Sequence, residues 1–121
     1  MRISVSDPTP SGTGNTWTVL AFAGELDLAV APQVRSTVAE LVAAGRVRLV
    51  WDLEQVTFMD STVLGVLVYT MRQAEAHDGA LRLAGAGAQV LRLLRITGMD
   101  GVVEMFPDVD TATSVPTARL R

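Results

Sequence analysis

Short apolar runs with strand character alternate with longer stretches of helical periodicity along most of this chain, and this alternation limits its fold most. The strand-like runs are WTVLAFAG, RVRLVWDL, ALRLAG and VVEMF, at residues 17–24, 46–53, 80–85 and 102–106. The segments between them repeat apolar side chains every three or four positions and lie at residues 28–44, 61–77 and 86–97. Strands and helices that alternate over short connections form layered α/β folds, so the sequence predicts that class.

The two ends of the chain are rich in turn-forming residues. RISV at the N-terminus predicts a short edge strand, and residues 7–16, DPTPSGTGNT, predict an exposed loop. The segment that starts at Pro107 predicts a short helix followed by a polar tail at 116–121. With 121 residues, 49% of them hydrophobic, we expect a single domain over residues 1–121, whose core spans about 15–115.

Each predicted helix has an apolar face. These faces are Val30, Val34, Val38, Leu41 and Val42 in the first helix, Leu64, Leu67, Val68 and Met71 in the second, and Val90, Leu91 and Leu94 in the third. The second helix also carries Val63, Val66 and Thr70 on a different face. That face either docks a partner or is buried because the helix packs on two sides. Before this helix, VTFMD (56–60) either extends the preceding strand or connects it to the helix.

Missing residue types exclude most enzyme chemistries. All ten basic residues are arginine, so the lysines of Schiff bases and of P-loops are absent. The chain has one histidine, His77, no cysteine, and no dense cluster of carboxylates. We therefore expect no enzyme, no catalytic residues, no metal site and no cofactor.

Charge and hydropathy indicate the compartment and exclude two kinds of partner. The net charge is −3 and no basic stripe appears, so we expect no nucleic-acid partner. The chain has no run of roughly 18 uncharged apolar residues and no signal peptide at its N-terminus, so we expect no membrane segment. The sequence predicts a cytoplasmic protein.

The stretch TFMDSTVLGVL places two hydroxyl side chains, Ser61 and Thr62, after Asp60 at a predicted junction of strand and helix. Ser61 lacks the flanking glycines of a nucleophile elbow. His77 lies about 24 Å away along the same predicted helix, so the two cannot form a nucleophile–base pair. Any of the three junction residues can cap the helix. The position also suits an anionic group, so the residues alone leave capping and modification both open.

Two further patterns suggest nucleotide or phosphate chemistry and match it only in part. GAGAQV (85–90) follows a predicted strand and opens a helix, as a dinucleotide-binding turn does, but Val90 replaces the third glycine. An ordinary tight turn explains the same pattern. Asp52 ends a predicted strand, as the phosphoacceptor of a receiver domain does. That chemistry also requires a lysine, which this chain lacks.

A family resemblance connects the remaining features. GELD (24–27), followed by a helix and then by RLVWDLEQVTFMDSTVLGVLV, resembles the anti-sigma factor antagonist family of the STAS fold. The later segments GAGAQVLRLLRITGMD and VVEMFPDVDTA also agree with it, so the likeness covers roughly residues 15–115. It implies a mixed β-sheet of four to five strands with helices mainly on one face.

The resemblance also implies roles for individual residues. Ser61 corresponds to the phosphorylated serine, Asp60 to the acid before it, and Thr62 to a second hydroxyl that helps to cap the helix. Asp27 is expected near Ser61, where it contributes to recognition by the partner. The sequence departs from the family at Val63, where glycine is usual, and the valine is expected to narrow the space beside Ser61. The predicted partner-binding residues are Asp27, Asp60, Ser61, Thr62, Val63 and Val66.

Members of this family bind partners rather than catalyse reactions. The resemblance implies that the unphosphorylated protein binds an anti-sigma factor that is also a serine kinase, and so frees a sigma factor. Phosphorylation of Ser61 ends the binding, and a serine phosphatase restores it. Two alternatives remain at this point: a STAS scaffold subunit of a signalling complex that does not switch, and a small-ligand or nucleotide-binding module that uses GAGAQV.

Overall fold

The computed structural model describes residues 2–7 and 16–115. Its elements in chain order are β1 (Arg2–Ser6), β2 (Thr18–Leu26), α1 (Ala31–Ala43), β3 (Arg48–Met59), α2 (Thr62–Ala76), β4 (Ala80–Ala84), α3 (Ala88–Ile96), a 3₁₀ turn (Met99–Gly101), β5 (Glu104–Phe106) and α4 (Val109–Ser114). None of the helices in these ranges is long and apolar enough to cross a membrane. Residues 8–15 of the predicted loop and the predicted tail at 116–121 lie outside the described residues.

The five strands form one sheet in the order β1-β2-β3-β4-β5. β1 runs antiparallel to β2, and all other neighbours are parallel. The predicted α/β fold with a mixed sheet is therefore confirmed, and so is the prediction that the N-terminal strand lies at the edge.

Alternate side chains of β2 and β3 enter two different cores. Leu20 and Phe22 of β2 and Trp51 of β3 face the larger core, which α1, α2 and α3 cover. Val19 and Val50 face the opposite side, where they pack in a smaller cluster with Trp17, Ala84 and Ala112 of α4. This alternation follows from the two-residue period of a strand. The prediction that the helices lie mainly on one face is confirmed.

β3 is longer than the strand that follows it in the sheet. It continues through VTFM to Met59, so this segment extends the strand. Its pairing with β4 ends at Asp52 opposite Ala84, whereas its pairing with β2 continues to Met59 opposite Leu26. The last residues of β3 therefore project beyond β4 and carry the start of α2 with them.

The prediction of which side of α2 faces the core is wrong, because the buried side chains lie about one position earlier in the helix than expected. The buried side chains of this helix are Val63, Val66, Leu67, Thr70 and Ala74, whereas Leu64, Val68 and Met71 are only half-buried. The physical reason is that α2 packs against α1 as well as against the sheet. Of the two explanations for the second apolar face, burial on two sides is therefore the correct one.

Two smaller expectations also change near the C-terminal end of the fold. The last strand begins at Glu104 rather than Val102, because residues 99–101 form a 3₁₀ turn in which the Val102 N–H donates to the Met99 carbonyl at 3.0 Å. Leu91, predicted to point inward, is half-buried and lines a surface cavity.

Candidate functional site

The segments GELD and MDST meet at the carboxyl ends of two neighbouring strands, β2 and β3. Leu26 at the end of β2 pairs with Met59 at the end of β3, and the Asp60 N–H donates to the Leu26 carbonyl at 3.0 Å. Since neighbouring strands lie about 4.8 Å apart, Asp27 and Asp60 leave the sheet side by side. The predicted proximity of the two motifs therefore has a simple origin in the parallel pairing of β2 and β3.

Asp60 is the residue that caps α2. Its Oδ1 accepts a hydrogen bond from the Thr62 backbone N–H at 3.0 Å and a second one from the Thr62 hydroxyl. Ser61 already has helical angles, φ −70° and ψ −18°, so Asp60 occupies the position from which a side chain normally satisfies an exposed N–H. The Thr62 hydroxyl, together with the backbone N–H groups of Thr62, Leu28 and Val63, lowers the pKa of Asp60 below its usual value.

Ser61 is exposed and its hydroxyl takes no part in capping. It precedes the fifteen-residue helix α2, where the partial positive charge of the helix dipole favours an anionic group. Of the three hydroxyl or acidic side chains at this junction, Asp60 and Thr62 are bonded to each other and Ser61 is left accessible. The Ser61 hydroxyl can therefore be reached from solvent without breaking the cap.

Asp27 shapes the loop that leads into α1. Its Oδ1 accepts from the Ala29 N–H at 3.1 Å, and its carbonyl accepts from the Val30 N–H at 3.1 Å. Among the described residues, no hydrogen bond joins Asp27 to Asp60 or Ser61. Asp27 is thus placed beside the junction by the sheet and contributes a neighbouring negative charge.

Val63 and Val66, predicted to contact a partner, do not form a surface. Val63 is 1% exposed and Val66 is 3% exposed, and both belong to the core beneath α2. That prediction is wrong, because the face of α2 that carries them packs inward. For the same reason the Val63 side chain points into the core and does not narrow the space beside Ser61.

Two residues near Ser61 were missed in the sequence. Leu28 follows GELD directly, and its side chain is 67% exposed although it is large and apolar. Gln89, in the first turn of α3, bonds to the backbone of Met59 through both atoms of its amide group, at 2.8 Å each. No local pattern marks either residue, because exposure and long-range hydrogen bonds depend on the packed structure.

The site contains no partner for nucleophilic catalysis within the described residues. His77 is exposed at the C-terminal end of α2, where its Nδ1 lies 2.9 Å from the Gln73 carbonyl. Ser61 lies at the other end of the same helix, so the predicted separation of the two side chains is confirmed. Across residues 2–7 and 16–115, no group of three or more acidic or imidazole side chains is placed to hold a metal ion.

The GAGAQV segment forms the turn from β4 into α3. Gly85 has a positive φ of 71°, and a Cβ atom there would meet Glu54 at 3.1 to 3.3 Å, so this glycine permits close packing of the turn against β3. Beside the turn lies an open cavity of about 450 Å³, lined by Glu54, Gly85, Ala86, Leu91, Met105, Phe106 and Pro107. Close packing therefore explains Gly85 without a bound nucleotide.

Comparison with known proteins identifies the family. A sequence model of the STAS domain matches residues 7–112. The anti-sigma-B factor antagonist of Bacillus subtilis strain 168 is 34% identical over 84 residues, which are 69% of this chain and 76% of the relative. This chain belongs to the anti-sigma factor antagonist family of STAS domains.

Solved structures agree with this STAS domain over most of its length. An anti-sigma factor antagonist from Mycobacterium paratuberculosis is 26% identical, with a TM-score of 0.75 over 92% of this chain and 91% of that one. The Bacillus cell fate determinant SpoIIAA in its phosphorylated form is 23% identical, with a TM-score of 0.70 over 92% of this chain and 96% of that one. The second likeness, at this level of identity, concerns the fold alone.

Proposed function

We propose that this STAS domain is a switchable anti-sigma factor antagonist. Its unphosphorylated form binds an anti-sigma factor that is also a serine kinase, and this binding frees a sigma factor. Phosphorylation of Ser61 ends the binding, and a serine phosphatase restores it. The observation that carries the proposal is the exposed Ser61 hydroxyl at the start of α2, which Asp60 leaves unused by capping the helix through Thr62.

The surface proposed to bind the kinase, here called the docking surface, consists of Asp27, Leu28, Asp60, Ser61 and Thr62. Leu28 supplies an exposed apolar side chain, and apolar anchors that become fully buried dominate the affinity of many interfaces. The two carboxylates form an acidic rim, which favours a basic surface on the partner.

A phosphate on Ser61 acts on this surface by charge and bulk. It adds about −1.5 to −2 charge at neutral pH, beside the carboxylate of Asp60. The helix dipole and the backbone N–H groups at the start of α2 favour that charge, so the fold does not need to rearrange. The switch therefore operates at the interface, where the extra charge and volume oppose docking.

In this scheme the partner kinase catalyses the phosphoryl transfer. The protein acts in the cytoplasm, where sigma factors act. The kinase provides the ATP site, and this chain provides the serine and the surface that presents it. No metal or cofactor in this chain takes part.

The first experiment compares the wild type with Ser61→Ala and Ser61→Asp in binding to the purified anti-sigma factor kinase. We expect Ser61→Ala to bind like the wild type and to remain bound after ATP is added, because it cannot be phosphorylated. Ser61→Asp is expected to bind about tenfold more weakly, which corresponds to about 1.4 kcal/mol. Calorimetry measures the affinities, and intact mass measures phosphate incorporation. Ser36→Ala, at an exposed serine of α1, is the matched control and should incorporate one phosphate.

Equal affinities of all three forms for the kinase would contradict the switch. Tight binding without incorporation of phosphate would instead support the non-switching STAS scaffold. A labelled nucleotide that binds the chain alone, and no longer binds after Gly87→Val, would support the nucleotide-binding alternative.

A further inference from the structure

Within residues 2–7 and 16–115, the end of β3 has no neighbouring strand on the side of β4, and a side chain takes the place of that strand. Pairing between β3 and β4 stops at Asp52, seven residues before Met59. In a strand, the N–H and C=O of one residue point to the same side. The N–H of Asp60 points towards β2, where it bonds to the carbonyl of Leu26. The N–H and C=O of the preceding residue, Met59, therefore point away from β2.

Gln89 supplies both bonds that a neighbouring strand would make to Met59. Its Oε1 accepts from the Met59 N–H at 2.8 Å, and its Nε2 donates to the Met59 carbonyl at 2.8 Å. A primary amide is suited to this pairing because it carries an acceptor and a donor side by side. The clamp links the first turn of α3 to the strand end that leads into α2.

Met59 is consequently held on three sides. Its side chain is buried in the main core, the peptide that follows it bonds to β2, and its own backbone groups bond to Gln89. Asp60 and Ser61 follow directly, so the position of Met59 sets where the Asp60 carboxylate and the Ser61 hydroxyl lie relative to the sheet.

We propose that Gln89 is a positioning residue for the junction of Asp60 and Ser61, which it holds in the geometry that the kinase recognises. The inference rests on the proposed function of Ser61 and deepens it, since it assigns control of that site to a residue on another helix. Without the clamp, the end of β3 keeps its bonds to β2 alone, and Ser61 samples orientations that do not fit the kinase.

The first test measures backbone hydrogen exchange in Gln89→Met, which keeps the length of the side chain and removes both bonds. We expect exchange of the Met59 amide to rise about tenfold relative to that of Val50, the size expected when about two weak hydrogen bonds are lost. Val50 lies in the part of β3 that is paired on both sides and reports global stability. An unchanged ratio of the two rates would overturn the proposal, because it would mean that the clamp does not hold the strand end.

The second test uses Gln89→Glu, in which the hydrogen-bonding of the clamp depends on pH. An ionised carboxylate accepts from the Met59 N–H but has no donor for the Met59 carbonyl, whereas the protonated acid has one. Phosphorylation of Ser61 by the purified kinase is therefore expected to be about tenfold slower than in the wild type at pH near 8, where the new carboxyl group is ionised, and to recover as the pH falls through the pKa of that group.

Each rate is divided by the wild-type rate at the same pH, which cancels the response of the kinase itself. Gln73→Glu makes the same chemical change near the far end of α2, about 18 Å along the helix from Ser61, and should show no pH-dependent defect. Phosphorylation of Gln89→Glu at the wild-type rate at every pH would overturn the positioning role. A wild-type protein that the kinase neither binds nor phosphorylates would reject the proposed function instead, while the exchange ratio would still decide whether Gln89 fixes the junction.

Discussion

The sequence allows Asp60, Ser61 or Thr62 to cap α2, and in the structure it is Asp60 that does so. By capping α2 it satisfies the Thr62 N–H, and the Ser61 hydroxyl takes no part in the cap. Replacement of a capping aspartate by alanine typically costs about 1 kcal/mol, whereas asparagine retains an oxygen that can accept the same bond. We therefore expect Asp60→Ala to lower the free energy of unfolding by about 1 kcal/mol at neutral pH, and Asp60→Asn to lower it by less. Urea denaturation measures both.

The same cap predicts a pH dependence of stability. The pKa of Asp60 is lowered in the folded state, mainly by the hydrogen bond from the Thr62 hydroxyl. Its stabilising effect is therefore complete above the ordinary value of 3.8 and is lost as the pH falls through the lower folded-state value. The difference between the wild type and Asp60→Asn should disappear in that acidic range, and a difference that is constant from neutral to acidic pH would contradict this role.

At the level of single residues, the sequence predicted which residue types form the junction, but not which of the side chains that follow it face the core. The residue types at Asp60, Ser61 and Thr62 are sufficient to predict a capped helix start, but not which of the three side chains caps it. Val63 and Val66 were assigned to the surface because neighbouring helical positions differ by about 100°, so a small error in the direction of the buried face moves a side chain from solvent into the core.

In the turn from α2 to β4, Gly79 packs directly against the backbone of Val47. A Cβ atom on Gly79 would lie 1.9 Å from the backbone oxygen of Val47, so Gly79→Ala requires the backbone of one segment to move. We expect a loss of about 3 kcal/mol, at the upper end for overpacked sites, measured by chemical denaturation.

Gly65 in α2 is the matched control for this turn. A Cβ atom there would meet nothing within 4 Å, and alanine favours helix more than glycine does. Gly65→Ala should therefore stabilise the protein by about 0.5–1 kcal/mol. If both alanine substitutions have the same effect, close packing at Gly79 is not what fixes this turn.

The order and type of the elements could be predicted because their periodicity is local. The length of β3 could not, since VTFM suits a strand or a connection equally well, and only its pairing with β2 and its clamp by Gln89 decide for a strand. The 3₁₀ turn at Met99–Gly101 escaped prediction for a similar reason, because three residues are too few to show a period.

The molecule as a whole is built on two cores, and within the smaller one Arg82 joins β4 to α4. Its guanidinium is fully buried and donates to the carbonyls of Ala112 at 2.8 Å and Val115 at 2.6 Å, and it lies 4.4 Å from the centre of the Trp17 ring. It also pairs with Glu104 at 3.0 Å. The sequence does not show that Arg82 is buried, because the residues to which it bonds lie more than twenty positions away.

Replacement of this arginine should loosen the face of the sheet that α4 covers. Arg82→Met leaves two carbonyls without their donor, and we expect a loss of about 2–4 kcal/mol in the free energy of unfolding. In a Trp51→Phe background, Trp17 remains as the only tryptophan and its fluorescence reports this face during urea denaturation. Arg72→Met, at an exposed arginine of α2, should change the free energy by less than about 0.5 kcal/mol, and a similar small effect at Arg82 would contradict the anchoring role.

The connection between β1 and β2 starts and ends at the amino end of β2, whereas Ser61 lies near the carboxyl end of that strand. Asp7 bonds to the hydroxyl of Thr18 at 2.9 Å, and β2 then runs about 26 Å to its other end at Leu26. A fluorescent protein or an immobilisation tag inserted directly after Asp7 would be attached at this end of β2, far from the docking surface. The domain can therefore be tethered to a sensor chip through this side, with Ser61 turned towards the solution in which its partners are supplied.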